Sequence, residues 1–189
     1  MSGVDTNLLK HFNLAAQLGH DGEHWAALSA YRSVIARASE PGGPKSSPAF
    51  IATARMRVGL CLKDLALHEE ARQEFADMAP LAGALARAAR FEYHFAYGTT
   101  LGRLRRMEEM YLELLQAMSV AEAMGDYTSR LERCWVKLLS HAEQARDWDF
   151  LEQKARLAAD IAHKRGMMRL YVYATDMASV ARHHRQQLN

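Results

Sequence analysis

Between Val58 and Met78 the chain carries a spaced set of positions, Val58-Gly59, Leu62, Ala66, Ala71, Phe75 and Met78, that returns at the same offsets elsewhere. Upstream it reads Leu14-Ala15, Leu18, Gly22, Ala27, Tyr31 and Val34. Downstream it reads Tyr97-Gly98, Leu101, Arg105, Met110, Leu114 and Ala117, and then, more loosely, Leu138-Leu139, Ala142, Arg146, Leu151, Ala155 and Ala158. With Ala15, Gly59, Gly98 and Leu139 as equivalents, the successive spacings are 44, 39 and 41 residues. Periods of that length mark stacked helix pairs, in which no pair buries its apolar face alone and neighbours share one elongated core. A small residue midway along one helix lets its partner approach, and a large one such as Tyr31 or Phe75 fills the adjacent gap.

Composition supports helices. Of 189 residues, 49% are hydrophobic and only four are proline, enough for one domain, 1–189, with a substantial core. Helices are predicted over 5–20, 23–38, 49–66, 68–79, 81–101, 106–124, 127–145, 148–165 and 167–186, with ends uncertain by about 2–4 residues. They pair as repeats 5–38, 49–79, 81–124 and 127–165. The last helix, 167–186, sets Leu170, Ala174, Met177, Ala178 and Ala181 on one stripe against Arg169, Asp176, Arg182 and Arg185, as a capping helix would. Pro41-Gly42-Gly43-Pro44 with Pro48 reads as a loop between the first and second pairs.

The chain resembles the tetratricopeptide repeat (TPR) family, whose pattern is carried best by Val58-Gly59, Leu62, Ala66, Ala71, Phe75 and Pro80. The resemblance covers nearly the whole length. The period near 40 is similar to the longer-helix branch, which includes kinesin light chains, G-protein regulatory scaffolds and bacterial peptide-sensing regulators. It implies an all-α fold: a right-handed helical-repeat solenoid of about four antiparallel helix pairs with a C-terminal capping helix. The sequence departs from the family where Arg105 and Arg146 replace the usual inter-helix glycine and where Leu139 replaces the small packing residue.

Met1 to Lys10 lacks the continuous apolar stretch of a signal peptide, and no run reaches membrane-spanning length. Cys61 and Cys134 fall in different repeats without metal-ligand spacing, which fits reduced thiols in the cytoplasm. A net charge of +2 argues against a nucleic-acid binder. From His163 onward the balance shifts to five Lys and Arg against Asp176 alone, a basic end that suits a solvated cap or an acidic partner.

Apparent catalytic motifs dissolve on inspection. His20-Asp21-Gly22-Glu23-His24 has the H-x-x-E-H order of an inverted zinc protease, but that site needs an unbroken helix to bring both histidines to one metal. Gly22 falls in the predicted turn and would splay them, so no metal site is assigned. Gly42-Gly43-Pro44-Lys45-Ser46-Ser47 hints at a phosphate loop, yet Pro44 removes an amide that would cradle phosphate. His183 and His184 are adjacent and diverge on a helix. No cofactor is implied.

Carrying the family register onto this chain implies a concave groove lined by the first helix of each pair. Its residues would be Phe12 and Ala16, then Met56, Arg57, Leu60, Lys63 and Asp64, then Phe95, Thr99 and Arg103, then Val136, Lys137 and Ser140. Phe12, Met56, Phe95 and Val136 occupy equivalent places and would form an apolar track flanked by Arg57, Lys63, Arg103 and Lys137. Such a track suits a peptide with apolar anchors and some acidic residues. Met and Phe at helical spacing are more often core than contact, and a small rotation of each helix would bury them. The basic and asparagine pairs that capture C-terminal carboxylates in chaperone-binding family members are missing, since Phe12 and Ala16 stand at the first of them. The expectation is a non-enzymatic adaptor for a protein or peptide partner, with a ligand sensor or a chaperone for secreted proteins as alternatives and a homodimer left open.

Overall fold

The computed structural model describes residues 5–40, 46–125 and 128–188; the suspected phosphate loop, with Gly42 to Lys45, lies outside them. The order is α1 (Thr6–His20), α2 (His24–Ser39), α3 (Pro48–Asp64), α4 (His68–Met78), a short 3-10 helix (Ala79–Ala84), α5 (Arg87–Arg103), α6 (Met107–Ala123), α7 (Thr128–Ala145), α8 (Trp148–Lys164) and α9 (Met168–Leu188). No strand occurs among the described residues. The fold is therefore all-α, and the predicted helix ends hold within two residues except at one place. The single helix expected over 81–101 is broken. Pro80 sits in the first turn of the 3-10 helix, Leu85 turns extended (φ −68°, ψ 143°), and α5 starts at Arg87. Burial explains the break: Ala82 and Leu85 are drawn into the core, while the Arg90 guanidinium donates to the carbonyls of Gly83 and Leu85 at 3.4 and 3.3 Å.

The turn inside each pair has one geometry throughout. Gly22, Ala66, Arg105 and Arg146 all take positive φ, at 84°, 60°, 60° and 57°. The next amide reaches back to close the helix end: Glu23 to Leu18, Leu67 to Leu62, Arg106 to Leu101 and Asp147 to Ala142, at 2.9, 2.9, 3.0 and 3.1 Å. This is the Schellman closure, which satisfies the orphan carbonyls of a helix end. A residue other than glycine in that conformation costs on the order of 1 kcal/mol, so packing rather than residue identity holds three of the four turns. Helix starts are capped where the sequence allows. Asp5 accepts from the amides of Asn7 and Leu8 at 2.7 and 3.1 Å, Ser47 precedes Pro48 and accepts from Phe50 at 3.2 Å, and Asp147 accepts from Phe150 at 3.2 Å.

Core positions repeat as the turns do. Ala27, Ala71, Met110 and Leu151 are all buried, as are Tyr31, Phe75, Leu114 and Ala155, each 16 residues after the equivalent positions Ala15, Gly59, Gly98 and Leu139. The chain divides into two compact units, 1–100 and 101–189, with the division inside α5. In the first, Phe75 lies against Gly59 and touches Tyr93 and Tyr97, with ring centroids 5.9 and 5.8 Å away. The buried Tyr93 hydroxyl donates to the Phe75 carbonyl at 2.9 Å. In the second, Met110 occupies the place that alanine holds at Ala27 and Ala71. Room for it comes from Gly102, where a Cβ would lie 2.5 Å from the Met110 sulfur and 3.0 Å from the His141 ring. Gly19 in the first repeat faces only Ala27, at 3.7 Å.

Candidate functional site

The groove residues expected from the family register separate into two sets. Met56 and Phe95, cast as apolar anchors, are 3% and 7% exposed and belong to the core, which corrects that expectation. Phe95 stacks on Phe91 at 5.9 Å. Phe12 is half-buried, with its ring 5.3 Å from Tyr31 and 5.4 Å from Phe50. The physical reason at Met56 is volume: it shares a core cluster with the small residues Ala15 and Ala52, which let the helices of the first unit close over it. Leu60 and Val136 are half-buried.

The cations behave differently. Arg57 is exposed, close to Tyr31, whose hydroxyl burial pushes up against the pull of that guanidinium. Lys63 is taken up by an ion pair with its neighbour Asp64. In the second unit Arg103 is exposed and Lys137 half-exposed, and neither forms an ion pair with any described residue. Both stand near His141. Burial, Arg103 and Lys137, in that order, lower the His141 pKa to about 4, so the ring is neutral and adds no third positive charge beside the two cations. Ser140, beside them, accepts from Gln144 at 3.3 Å.

His20 ends α1, Gly22 turns the chain at φ 84°, and His24 opens α2, so the H-x-x-E-H order spans a turn rather than one helix face. Among the described residues no cluster of three His, Cys, Asp or Glu has the geometry to hold a metal ion. No helix among them is long and apolar enough to cross a membrane.

Two depressions in the second unit lie on its second helices, away from the expected residues. A cleft of about 190 Å³ runs between α6 and α8, walled by Tyr111, Leu115 and Met118 on one side and Leu157 and Ile161 on the other, over a floor of Leu131 and Trp135 of α7. Lys154 lies 3.9 Å over the Tyr111 ring, and Arg165 pairs with Glu122 at 2.8 Å across 43 residues of sequence. The second depression, about 550 Å³, opens between α8 and α9, and Leu157 stands on the ridge between the two. Its edge carries Arg156 and Arg182. Both reach Glu152, at 2.5 and 3.6 Å, and Arg185 reaches it at 2.6 Å while also pairing with Asp149 at 2.8 Å. The Arg185 hydrogen bond holds the buried Glu152 carboxyl below its usual range. Three guanidiniums thus share two carboxylates, and α9 is pinned to α8.

The first unit has the matching cleft, about 220 Å³ between α2 and α4, and its chemistry is polar. Arg32, Arg55 and Glu74 line it, with Arg55 3.8 Å from Glu74. Burial pushes the Glu74 carboxyl up, against the pull of Arg55.

No protein-family model matches the chain, and no curated protein matches it in sequence. Solved structures do match its backbone. BtubC (BKLC) from P. vanneervenii aligns with a TM-score of 0.59 at 14% identity, covering 92% of this chain and 78% of that one. The nearly identical TPR-like repeats assigned to a kinesin light chain of Podosopora anserina align at 0.57 and 10%, covering 95% and 97%. A Rap protein complexed with Competence and Sporulation Factor aligns at 0.56 and 14%, covering 96% of this chain but only 54% of that protein. At such identities the likeness concerns the fold alone, and it defines the class: this is a TPR-type helical repeat.

Proposed function

We propose that the chain is a non-enzymatic adaptor, acting in the cytoplasm, that binds an acidic peptide segment of a partner protein at first-helix residues of its second unit. The observation that carries this reading is the pair Arg103 and Lys137, on neighbouring first helices of the second unit, both near a neutral His141 and neither compensated by a described carboxylate. Two such cations on one face favour a carboxylate-bearing ligand and speed its capture. Arg57 supplies a like charge in the first unit. Apolar anchoring in the second unit falls to the half-buried Val136; in the first, Met56 and Phe95 are enclosed, and Leu60 and Phe12 stay half-buried.

A regulatory protein that senses a small peptide is the second reading, supported by the same fold in a Rap protein complexed with Competence and Sporulation Factor. Both readings bind a peptide and so raise the melting temperature; a peptide-linked change of oligomeric state in sedimentation velocity separates the sensor from the adaptor. A chaperone of secreted clients loses its support with the burial of the apolar track. Affinity capture from native lysate, with wild type beside Arg103→Glu/Lys137→Glu, tests the leading reading by mass spectrometry after helical content is matched. A partner lost only with the charge-reversed protein, and released by salt, is the expected result; identical partners with both proteins would overturn it.

A further inference from the structure

Leucines exposed on the second helices stand where the other repeats carry polar residues or, at Ala76, a small one. Counting from the equivalent residues Ala15, Gly59, Gly98 and Leu139, exposed Leu112 corresponds to Ser29, Gln73 and Gln153. Leu115 corresponds to Arg32, Ala76 and Arg156, and exposed Leu157 to Ser33, Asp77 and Gln116. The fold therefore tolerates polar residues at these positions and does not require leucine. On the cleft floor the same substitution of chemistry recurs, with Trp135 at the place of Arg55. One architectural cleft is thus floored and walled by charged residues in the first unit and by mainly apolar ones in the second, with the Arg165–Glu122 pair at one end. Scattered exposed leucines need no explanation, but three on one face, two of them walling a cleft, mark a contact surface.

The size of the cleft and its surrounding charge identify the occupant. At about 190 Å³ it falls short of the roughly 300–1,000 Å³ of small-molecule sites and suits inserted side chains. Leu112 and Leu115 are one helical turn apart, the spacing that meets the i, i+3, i+7 stripe of another helix. Beyond the Leu157 ridge, Arg156 and Arg182 project at 63% and 55% side-chain exposure, sharing a carboxylate that Arg185 already engages. They retain positive charge for an outside acceptor. We propose that this surface docks an amphipathic helix of a protein partner, its apolar stripe seated on Leu112, Leu115 and Leu157 and its flanking carboxylates on Arg156 and Arg182.

Three fluorescent peptides of about 18 residues, five helical turns, test this by anisotropy against the full chain. Two share a leucine stripe at i, i+3 and i+7, one with glutamate flanks and one with lysine flanks, and the third breaks the stripe with a central proline. The glutamate peptide should bind saturably and at least tenfold more tightly than the other two. Leu115→Arg and Leu157→Asp import residues that the equivalent positions of the first unit already carry, and each should weaken it at least tenfold with the circular dichroism unchanged. Arg156→Gln/Arg182→Gln should abolish the preference for glutamate over lysine flanks, and this variant decides the matter if a leucine variant loses its fold. Arg103→Glu/Lys137→Glu should leave this binding intact, so that failure here and failure of the first-helix reading are separable. Equal binding of both charged peptides, or unchanged binding by folded leucine variants, would overturn the proposal. So would a wild-type dimer in sedimentation velocity that either leucine variant dissociates, since the occupant would then be a second copy of this chain.

Discussion

Gly59→Ala adds a single methyl group where α3 lies close against the Phe75 ring of α4. That Cβ would lie 2.5, 2.8 and 2.9 Å from three atoms of the Phe75 ring, distances no relaxed contact shows. The ring has little room to retreat: Phe75 is fully buried, Tyr93 and Tyr97 press on it, and the Tyr93 hydroxyl ties its own carbonyl in place. Overpacking of this kind costs about 1–3 kcal/mol, and three close atoms point to the upper end. Alanine recovers about 0.5–1 kcal/mol as the better helix former. A net loss of about 2 kcal/mol remains, which for a chain of this size lowers the melting temperature by roughly 4–8 °C. Urea titration followed by circular dichroism should shift its midpoint at constant slope. Adding Phe75→Leu should then cost less than it does alone, with a coupling of about 1 kcal/mol or more in the double-mutant cycle. A neutral or stabilising Gly59→Ala, or purely additive effects, would mean that these helices do not cross at Gly59.

Three further outcomes follow from the packing. His141 is held at a pKa of about 4 in the folded chain against about 6.5 unfolded; the unfolded state binds the proton first, so stability should be flat above pH 6.5 and fall by up to about 3 kcal/mol as pH drops to 4. Urea midpoints across that window check it, and His141→Gln should flatten the slope. Arg105→Gly and Arg146→Gly relieve positive φ at exposed turns and should each stabilise by roughly 0.5–1 kcal/mol, read as a higher urea midpoint. Met56→Glu, at a position enclosed by the core, should destabilise by about 4 kcal/mol or more and show lost helicity, whereas a binding residue would leave the fold untouched.

The helices were legible because apolar and small residues recur at a fixed period, and that recurrence survives loose matches such as Leu138-Leu139. Arg105 and Arg146 looked like departures from the pattern, yet their turns match the one at Gly22 because the closing hydrogen bond and the packed helices impose the conformation. The break at Leu85 was hidden, since local propensity favours one helix and only burial of Ala82 and Leu85 splits it. Met56 and Phe95 went astray for a related reason: a helix face reads the same in sequence whether it lines a groove or a core, and a modest rotation decides between them. The cleft between α6 and α8 was present in the register all along. Leucine at 112, 115 and 157 against serine, glutamine, arginine, aspartate and one alanine elsewhere is a signal carried by surface positions, outside the recurring core spacing.

Gly102 and Met110 show how far these repeats can be treated as interchangeable parts. Met110 is admitted only because position 102 has no side chain, and the His141 ring completes the same enclosure. A graft of α6 onto α3 would set that methionine against Lys63, the residue at the place of Gly102, and the pair would not close. The unit that can be inherited, duplicated or transplanted is therefore a helix with its preceding neighbour's partner residue, and a chimera cut at the turn between them would sever a matched pair.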